Sequence, residues 1–289
     1  MKRRFLLVVA FAVFIFWSVD AQIFWKVSDN GLAKTSYLFG THHLIEKEQI
    51  KDFDRILAIC NKAEAVVCEI DMRDKSLQAK LAQATVMSEG DMKDLLSPED
   101  YILVDNEFKN LLGAGMSQLG KMKPVMLDNL FQIMWYLKEN GLKNQPEAID
   151  MIFQKNASDN NKKVIGLETA EDQINALFNS LSLKRQAEIL VKDVKEKKKG
   201  IELLKKLNEY YLTGNLRGLE ALNKEDDSMT EEEMKVLKED RNKKWMKQLP
   251  DLMKEQSCFV AVGCLHLTGE TGLINQLKKA GYSVEPVVM

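Results

Sequence analysis

Histidine is scarce in this chain, which limits the chemistry available to it. The 289 residues include only three histidines, and all three lie in two short stretches, residues 37–43 and 259–266. Each stretch is an apolar run of strand character that ends in Gly-x-x-His. Imidazole is the side chain whose ordinary pKa lies nearest neutrality, and it is the commonest metal ligand. Any site that needs imidazole must therefore use His42, His43 or His266.

An excess of positive charge is also missing. The formal net charge is -2, so the composition gives no basic surface for nucleic acid. Prolines number five, and we find no proline-rich linker, low-complexity segment or solenoid repeat. With 45% hydrophobic and 29% charged residues, the composition is that of an ordinary globular protein. We therefore expect residues 22–289 to form a single domain.

Cysteine is nearly as scarce as histidine. The four are Cys60, Cys68, Cys258 and Cys264, and their spacing does not match a zinc-knuckle pattern. The simplest interpretation is that they are small, buried, apolar side chains. A disulfide is the alternative in an oxidising compartment, and the sequence does not select the pair.

The N-terminal segment has the pattern of a secretory signal peptide. Basic residues 2–4 precede an unbroken apolar run of 13 residues, 5–17, which is too short for a comfortable membrane span. Small residues then predict cleavage near Ala21. We expect residues 1–21 to be removed and the protein to be exported, either periplasmic or secreted, with no stable membrane anchor. An uncleaved anchor is the alternative.

Periodicity predicts an α/β (α+β) fold whose central mixed sheet carries both Gly-x-x-His strand ends. Residues of about 74–160 read as a large helical insertion, and the two histidine strands suggest a weak internal duplication. The predicted elements, in chain order, are a hairpin over 23–39, a helix over 48–63, a strand over 65–71, the helical insertion, a strand over 163–168, helices over 182–250, a strand over 257–263, a helix over 272–280 and a strand over 282–288.

Polar side chains follow several predicted strands at their C-terminal ends, where open α/β sheets place their sites. We expect His43, His266 and Glu69 to meet there. Two imidazoles and one carboxylate, with one coordination position of the metal left open, suit zinc, manganese or iron. Such a metal would polarise a substrate carbonyl and activate water. Glu168, at a strand-to-helix junction, could act as a general base or orient a ligand histidine.

Each of these residues also has an ordinary structural interpretation. A histidine at a strand end is commonly hydrogen-bonded within the fold, and Glu69 could pair with a helix N-terminus. Glu168 could be one more acid in the first turn of a helix. Apolar residues of the insertion are most readily interpreted as core, and their alternative role is an apolar wall for a peptide side chain. Examples are Met126, Phe131, Met134 and Trp135.

An ordered set of motifs resembles the TraB/GumN family, whose relatives include the Tiki metalloproteases. The motifs are residues 37–43, 68–71, 166–169, 241–242 and 262–269, followed by a tail over 272–284. The resemblance spans roughly residues 23–289. It implies a shared α/β fold, with both histidine turns and acidic residues around one pocket. In Tiki-like members it also implies divalent-metal-dependent peptide hydrolysis, with manganese or cobalt. Other relatives include esterases and a haem-binding protein.

With this resemblance, Arg241 becomes a candidate for binding a substrate carboxylate or stabilising an oxyanion. The resulting hypothesis is an exported, peptidase-like, metal-dependent hydrolase acting on a peptide or protein, with manganese, cobalt or zinc. Its catalytic residues are Glu69, Glu168 and Arg241, and its metal ligands are His43, His266 and Glu69. His42 is a second candidate beside His43. The alternative is a non-catalytic protein that binds metal, haem or a peptide on the same scaffold.

Overall fold

The computed structural model describes residues 22–225 and 227–288. The predicted signal peptide, residues 1–21, lies outside the described residues. In the two described ranges, no helix is both long and apolar enough to cross a membrane.

A mixed six-stranded sheet forms the centre of the described chain. Its strands are β1 (Phe24–Ser28), β2 (Ser36–Thr41), β3 (Ala65–Cys68), β4 (Lys163–Gly166), β5 (Cys258–Gly263) and β6 (Ser283–Pro286). The strand order is β4-β3-β5-β2-β1-β6. Strands β4, β3, β5 and β2 are parallel to one another, whereas β1 is antiparallel to both β2 and β6. The predicted α/β class with a central mixed sheet is confirmed.

Helices fill the connections between the strands. They are α1 (Phe53–Cys60), α2 (Lys75–Ala84), α3 (Met92–Leu95), α4 (Pro98–Leu112), α5 (Met116–Leu119), α6 (Pro124–Glu139), α7 (Ile149–Asp159), α8 (Ala170–Phe178), α9 (Leu183–Lys195), α10 (Lys197–Leu212), α11 (Leu216–Glu225), α12 (Glu231–Lys235), α13 (Arg241–Trp245), α14 (Leu249–Glu255) and α15 (Leu273–Lys279). A π-helical turn, Val236–Asp240, joins α12 to α13.

Several predicted helices are divided in the structure. A left-handed Asp52 (φ 52°) separates a short 3-10 turn from α1, where one helix over 48–63 was predicted. Glu196 (φ −99°, ψ 19°) leaves the helical region between α9 and α10. Pro250 lies in the first turn of α14 rather than ending a helix, because the first turn of a helix does not need the N–H that proline lacks.

Pairing of β2 with β5 places the two Gly-x-x-His turns side by side. Gly40 is opposite Val262 and Thr41 is opposite Gly263 in the parallel register. A Cβ at Gly40 would lie 3.0 Å from the Cα of Cys264, which is tighter than nearly all Cβ contacts in proteins. Glycine at position 40 therefore lets the second turn cross directly over the first strand end.

Both faces of the sheet are covered by helices. Phe259 of β5 packs against Phe153 of α7 and Phe39 of β2, with ring centroids 4.7 and 6.2 Å apart. On the opposite face, the Cys258 thiol lies 3.6 Å from the carbonyl of Leu252 in α14. Burial on both faces explains why β5 is an almost continuous apolar run instead of an alternating one.

A second apolar cluster forms a helical lobe beside the sheet. Helices α3, α4, α5, α6 and α9 supply its buried residues. Its extent differs from the predicted insertion over 74–160. Helix α7 packs on β3, β4 and β5 instead, while α9 joins the lobe from beyond residue 160.

The four cysteines are all buried and unpaired. Burial raises the pKa of the Cys60, Cys258 and Cys264 thiols to about 12 in each case. The protonated thiol is therefore the form at neutral pH, which matches the interpretation of small apolar side chains.

Truncating an aromatic side chain at the centre of the core should destabilise the folded protein. Phe259→Ala removes a fully buried ring between β2 and α7, so we expect the free energy of unfolding to fall by about 3–5 kcal/mol. Ile102→Ala is the control because this side chain is 59% exposed, and the change expected there is within about 0.5 kcal/mol. Urea denaturation measures both, and equal losses would contradict the assignment of the core.

Candidate functional site

Four neighbouring parallel strands bring their C-terminal ends to one edge of the sheet. The turn after β2 carries His43, the chain after β3 carries Glu69, the β4–α8 junction carries Glu168 and the turn after β5 carries His266. The strand order places β5 between β2 and β3, so residues from both ends of the chain meet at this edge. It is the position at which open α/β sheets bind ligands.

Glu69 is the partly open member of this group, with 23% of its side chain exposed. Its Oε1 accepts the backbone N–H of Gly263 at 2.8 Å, and its Oε2 accepts Nη2 of Arg241 at 2.5 Å. A Cβ at Gly263 would lie 3.3 Å from Oε1, so glycine allows this close approach. Burial raises the pKa of Glu69, but His266, Arg241 and the Gly263 hydrogen bond outweigh burial and lower the pKa to about 2. Glu69 is therefore a carboxylate at neutral pH.

Arg241 joins three strand ends. Its Nε and Nη2 donate to the two oxygens of Glu168 at 2.7 and 2.9 Å, and Nη2 also donates to Glu69. Its Nη1 lies 3.1 Å from Nε2 of His266 and 3.4 Å from the carbonyl oxygen of Leu237. All five N–H groups of the guanidinium thus have partners within the protein. In this arrangement Arg241 is a cross-link between strand ends rather than a free donor for a substrate.

The π-helical turn and α13 hold Arg241 and its partners in place. Leu237, whose carbonyl accepts from the guanidinium, lies within this turn, and π turns are frequent at functional sites. One turn further, Trp245 packs its ring 5.0 Å from the guanidinium carbon. The indole N–H of Trp245 also donates to Glu168 at 3.0 Å, and the Glu168 side chain is only 2% exposed.

Asn242 fixes the tautomer of His266. Its amide nitrogen donates to the carbonyl oxygens of His266 and Thr271 at 3.0 and 2.9 Å, which leaves Oδ1 facing Nδ1 of His266 at 2.8 Å. Oδ1 can only accept, so Nδ1 carries the proton and the Nε2 lone pair faces Arg241. Burial lowers the pKa of His266 to about 4, and the charge of Arg241 acts in the same direction. The ring is therefore neutral at pH 7.

His43 has a different environment, because 63% of its side chain is exposed. Its Nδ1 lies 3.3 Å from Oδ1 of Asp150, in the first turn of α7. Contact with the Asp150 carboxylate raises the pKa of His43 above 6.5, while burial opposes this shift. No sequence pattern singles out Asp150, since an acid in the first turn is an ordinary feature of helices.

Glu69 connects the two histidine environments electrostatically. Its negative charge raises the pKa of His43 and opposes the lowering of the pKa of His266. The second candidate, His42, is instead buried beside Tyr211, and its Nδ1 accepts the N–H of Leu44 at 3.1 Å. Burial lowers the pKa of His42 to about 4, so it is a neutral structural ring.

The predicted divalent metal can be tested against these contacts. Within residues 22–225 and 227–288, no three His, Cys, Asp or Glu side chains form a group that could hold a metal ion. The Nε2 lone pair of His266 and one oxygen of Glu69 face the guanidinium of Arg241. A divalent cation placed among them would be repelled by that fixed positive charge. As arranged, these residues do not fit a divalent metal, and the metal stays a prediction.

Comparison with known proteins supports the resemblance drawn from the motifs. A model of the TraB/PrgY/gumN family matches residues 23–286, nearly the whole chain. No curated protein and no solved structure matches the chain. The matched range includes every strand end described above.

The buried histidines should make the protein acid-sensitive. His42 and His266 have an ordinary pKa of 6.5 and a folded pKa of about 4. As the pH falls from 6.5 to about 4, the unfolded chain binds protons that the folded chain does not. The free energy of unfolding should therefore decrease, by roughly 3 kcal/mol for each histidine. Urea titrations across this range measure the loss, and His266→Gln should remove about half of it.

His43 provides the matched control, because its pKa is shifted in the opposite direction. A raised folded pKa gives stability below pH 6.5 that is lost as the pH rises, so His43→Gln should leave the acid-induced loss in place. An equal flattening of the profile by His43→Gln and His266→Gln would contradict the assigned environments.

Proposed function

Because the chain belongs to the TraB/PrgY/gumN family, we propose that it is an exported hydrolase that cleaves peptide bonds. The observation that carries this proposal is the ion-pair contact of 3.3 Å between His43 and Asp150, together with the effect of the Glu69 charge on the His43 ring. An acid that holds one ring nitrogen of a histidine directs the other nitrogen outward as a base, which is the logic of hydrolytic dyads and triads. Export is proposed from the sequence of residues 1–21 alone.

In this proposal His43 is the general base. With its Nδ1 proton directed to Asp150, the lone pair of Nε2 takes a proton from a water molecule. The water oxygen forms a bond to the peptide carbonyl carbon, and the C–N bond then breaks. His43 returns its proton to the departing amine, so the step is balanced without an added reactant. Glu69 is the partly exposed carboxylate of the network at the strand ends, and it orients the water or the substrate N–H.

The remaining candidates act as positioning residues. Arg241 and Glu168 are nearly inaccessible, and their polar atoms are used within the network. They hold the carboxylate of Glu69 in one orientation at the end of β3. Neutral His266 supports the same guanidinium from the other side. Preorganised charges of this kind need no rearrangement during the reaction.

The N–H groups of Arg241 all have partners within the protein, which also favours a second candidate function. If the buried network is purely structural, the exposed edge around His43 and Glu69 binds a peptide without turnover. Saturable peptide binding with no cleavage of any member of a broad peptide library would support this binding protein and exclude the hydrolase.

Removing the proposed base should abolish most hydrolysis. We expect His43→Gln and Asp150→Asn to lower kcat/KM for a cleaved peptide by about 100-fold or more, the usual contribution of a general base. Mass spectrometry of a defined peptide library with the mature chain measures this. Lys47→Ala is the control, because Lys47 is an exposed residue just beyond the same turn. Full activity in His43→Gln would refute the assignment.

The pH dependence of kcat/KM distinguishes the role of His43, the base, from that of Asp150, its partner. His43 must be neutral to accept a proton, so kcat/KM should rise with pH through a pKa above 6.5, the direction set by Asp150. Asp150→Asn removes the charge that raises this pKa, and the midpoint should move to lower pH. An unchanged midpoint in Asp150→Asn would show that another group titrates.

Elemental analysis of the mature protein decides the metal question. Because the Arg241 guanidinium already faces Glu69 and His266, we expect less than one equivalent of metal and hydrolysis that survives chelation. One equivalent of manganese, cobalt or zinc, lost in His43→Ala and in His266→Ala, would instead support the metal-dependent form of the hydrolase.

A further inference from the structure

A cavity of about 180 Å³ lies between α6, α10 and α11. Apolar side chains from all three helices line it, including Phe131, Trp135, Ile201, Leu204 and Leu219. In the sequence, Phe131 and Trp135 were interpreted mainly as core, with an apolar wall for a ligand as the alternative. The structure confirms the core interpretation for Phe131, which is buried in the helical lobe with Trp135 packed against the same cluster, and both residues also line the cavity.

The cavity borders the same edge of the sheet as the candidate site. Leu265, which directly precedes His266, forms part of its lining. From the other histidine turn, Leu44 packs with Tyr136 and Leu137 of α6 and with Leu204 of α10. Both Gly-x-x-His turns therefore contact the helices that surround the cavity. A ligand held there would extend along the C-terminal ends of the strands, where α/β sheets bind their ligands.

The apolar face of α10 is incompletely covered. Its periodic side chains Ile201, Leu203, Leu204 and Leu207 are half-buried rather than buried. Gly200 of the same helix also lines the cavity, and apart from its chain neighbours and the backbone of its own helix, no described atom lies within 4 Å of the position that a Cβ would occupy there. Glycine favours a helix less than alanine does. Gly200 is exposed, so a larger side chain can be introduced there without displacing a packed neighbour.

Trp135 lines this cavity and carries a single hydrogen-bond donor. Its indole Nε1 is buried and has no partner among the described residues. The ring is positioned by Phe131, 6.2 Å away between centroids, and by the ammonium group of Lys197, 4.9 Å from the ring centroid. Buried donors are normally paired, so this N–H suits a ligand with an acceptor oxygen.

Charges at the rim are already compensated. Lys197 pairs with Glu107 at 3.0 Å, and Lys199 pairs with Asp227 at 2.7 Å. A charged ligand would have to compete with these pairs. The cavity therefore suits a neutral, apolar group.

We propose that this cavity binds a bulky apolar side chain of a peptide, such as leucine or phenylalanine, while a backbone carbonyl of the same peptide accepts a hydrogen bond from Trp135. The size agrees, because an apolar cavity of about 150 Å³ holds a benzene ring. As a specificity pocket for the peptide hydrolase, this inference rests on the proposed function, but the binding itself does not require turnover.

The indole N–H of Trp135 is a direct reporter of binding. In the mature chain, the indole N–H of Trp25 is bonded to Gln22 and that of Trp245 to Glu168. In a ¹H–¹⁵N spectrum, N-acetyl-leucine amide and N-acetyl-phenylalanine amide should move the Trp135 indole signal saturably and leave the other two in place. N-acetyl-glycine amide should move it far less. Trp135→Phe assigns the signal.

Filling the cavity is the second arm of the experiment. Gly200→Leu and Gly200→Phe place a side chain in the open space, and we expect them to weaken binding by at least 10-fold while circular dichroism stays unchanged. Lys198→Leu is the control, because it lies on the same helix outside the cavity lining. A Trp135 signal that does not move, that moves equally with the glycine amide, or that titrates normally in Gly200→Phe would overturn the inference.

The two proposals fail in different ways. Saturable movement of the Trp135 signal without hydrolysis of any peptide would leave the cavity assignment standing and remove the hydrolase. Hydrolysis that prefers no apolar residue and is unaffected by Gly200→Phe, with no movement of the indole signal, would remove the cavity assignment alone.

Discussion

The guanidinium of Arg241 is the interaction on which the edge of the sheet depends. One side chain from α13 hydrogen-bonds to Glu69 after β3, Glu168 after β4 and His266 after β5. Without it, two carboxylates would face each other in a largely buried space, where an unpaired charge is strongly destabilising. The cation therefore stabilises the strand ends and, at the same time, holds Glu69 in the one orientation in which it also accepts the N–H of Gly263.

The two Gly-x-x-His turns are alike in sequence but not in environment. His266 is buried, neutral and fixed in one tautomer by Asn242, so its Nε2 lone pair is directed at a cation of the protein itself. His43 is exposed and paired with Asp150, which raises its pKa. The similar motifs thus give two different functions to imidazole, one in a rigid support and one in a group able to exchange protons with solvent.

Helices α6, α10 and α11 adjoin the same edge of the sheet. Cavity-lining residues of α6, α10 and α11 meet Leu265 from one histidine turn, and Leu44 from the other turn packs against α6 and α10. A polar network at the strand ends and an apolar cavity among the helices therefore adjoin the same pair of turns. A peptide has both polar backbone and apolar side chains, so the two surfaces together match its chemistry better than either does alone.

Local pattern in the sequence was sufficient to determine the strands, most helices, the α/β class, the family and the acids and histidines at strand ends. The elements and the strand-end residues follow from residue types a few positions apart, and the family follows from the order of short motifs along the chain. Helix breaks at Asp52 and Glu196 and the π-helical turn were missed, because their backbone conformations carry no strong residue signal. The partners of each side chain were decided only by the tertiary structure, in which β5 inserts between β2 and β3. Asp150 beside His43, and Arg241 among Glu69, Glu168 and His266, are contacts between residues distant in sequence, so no local pattern contains them.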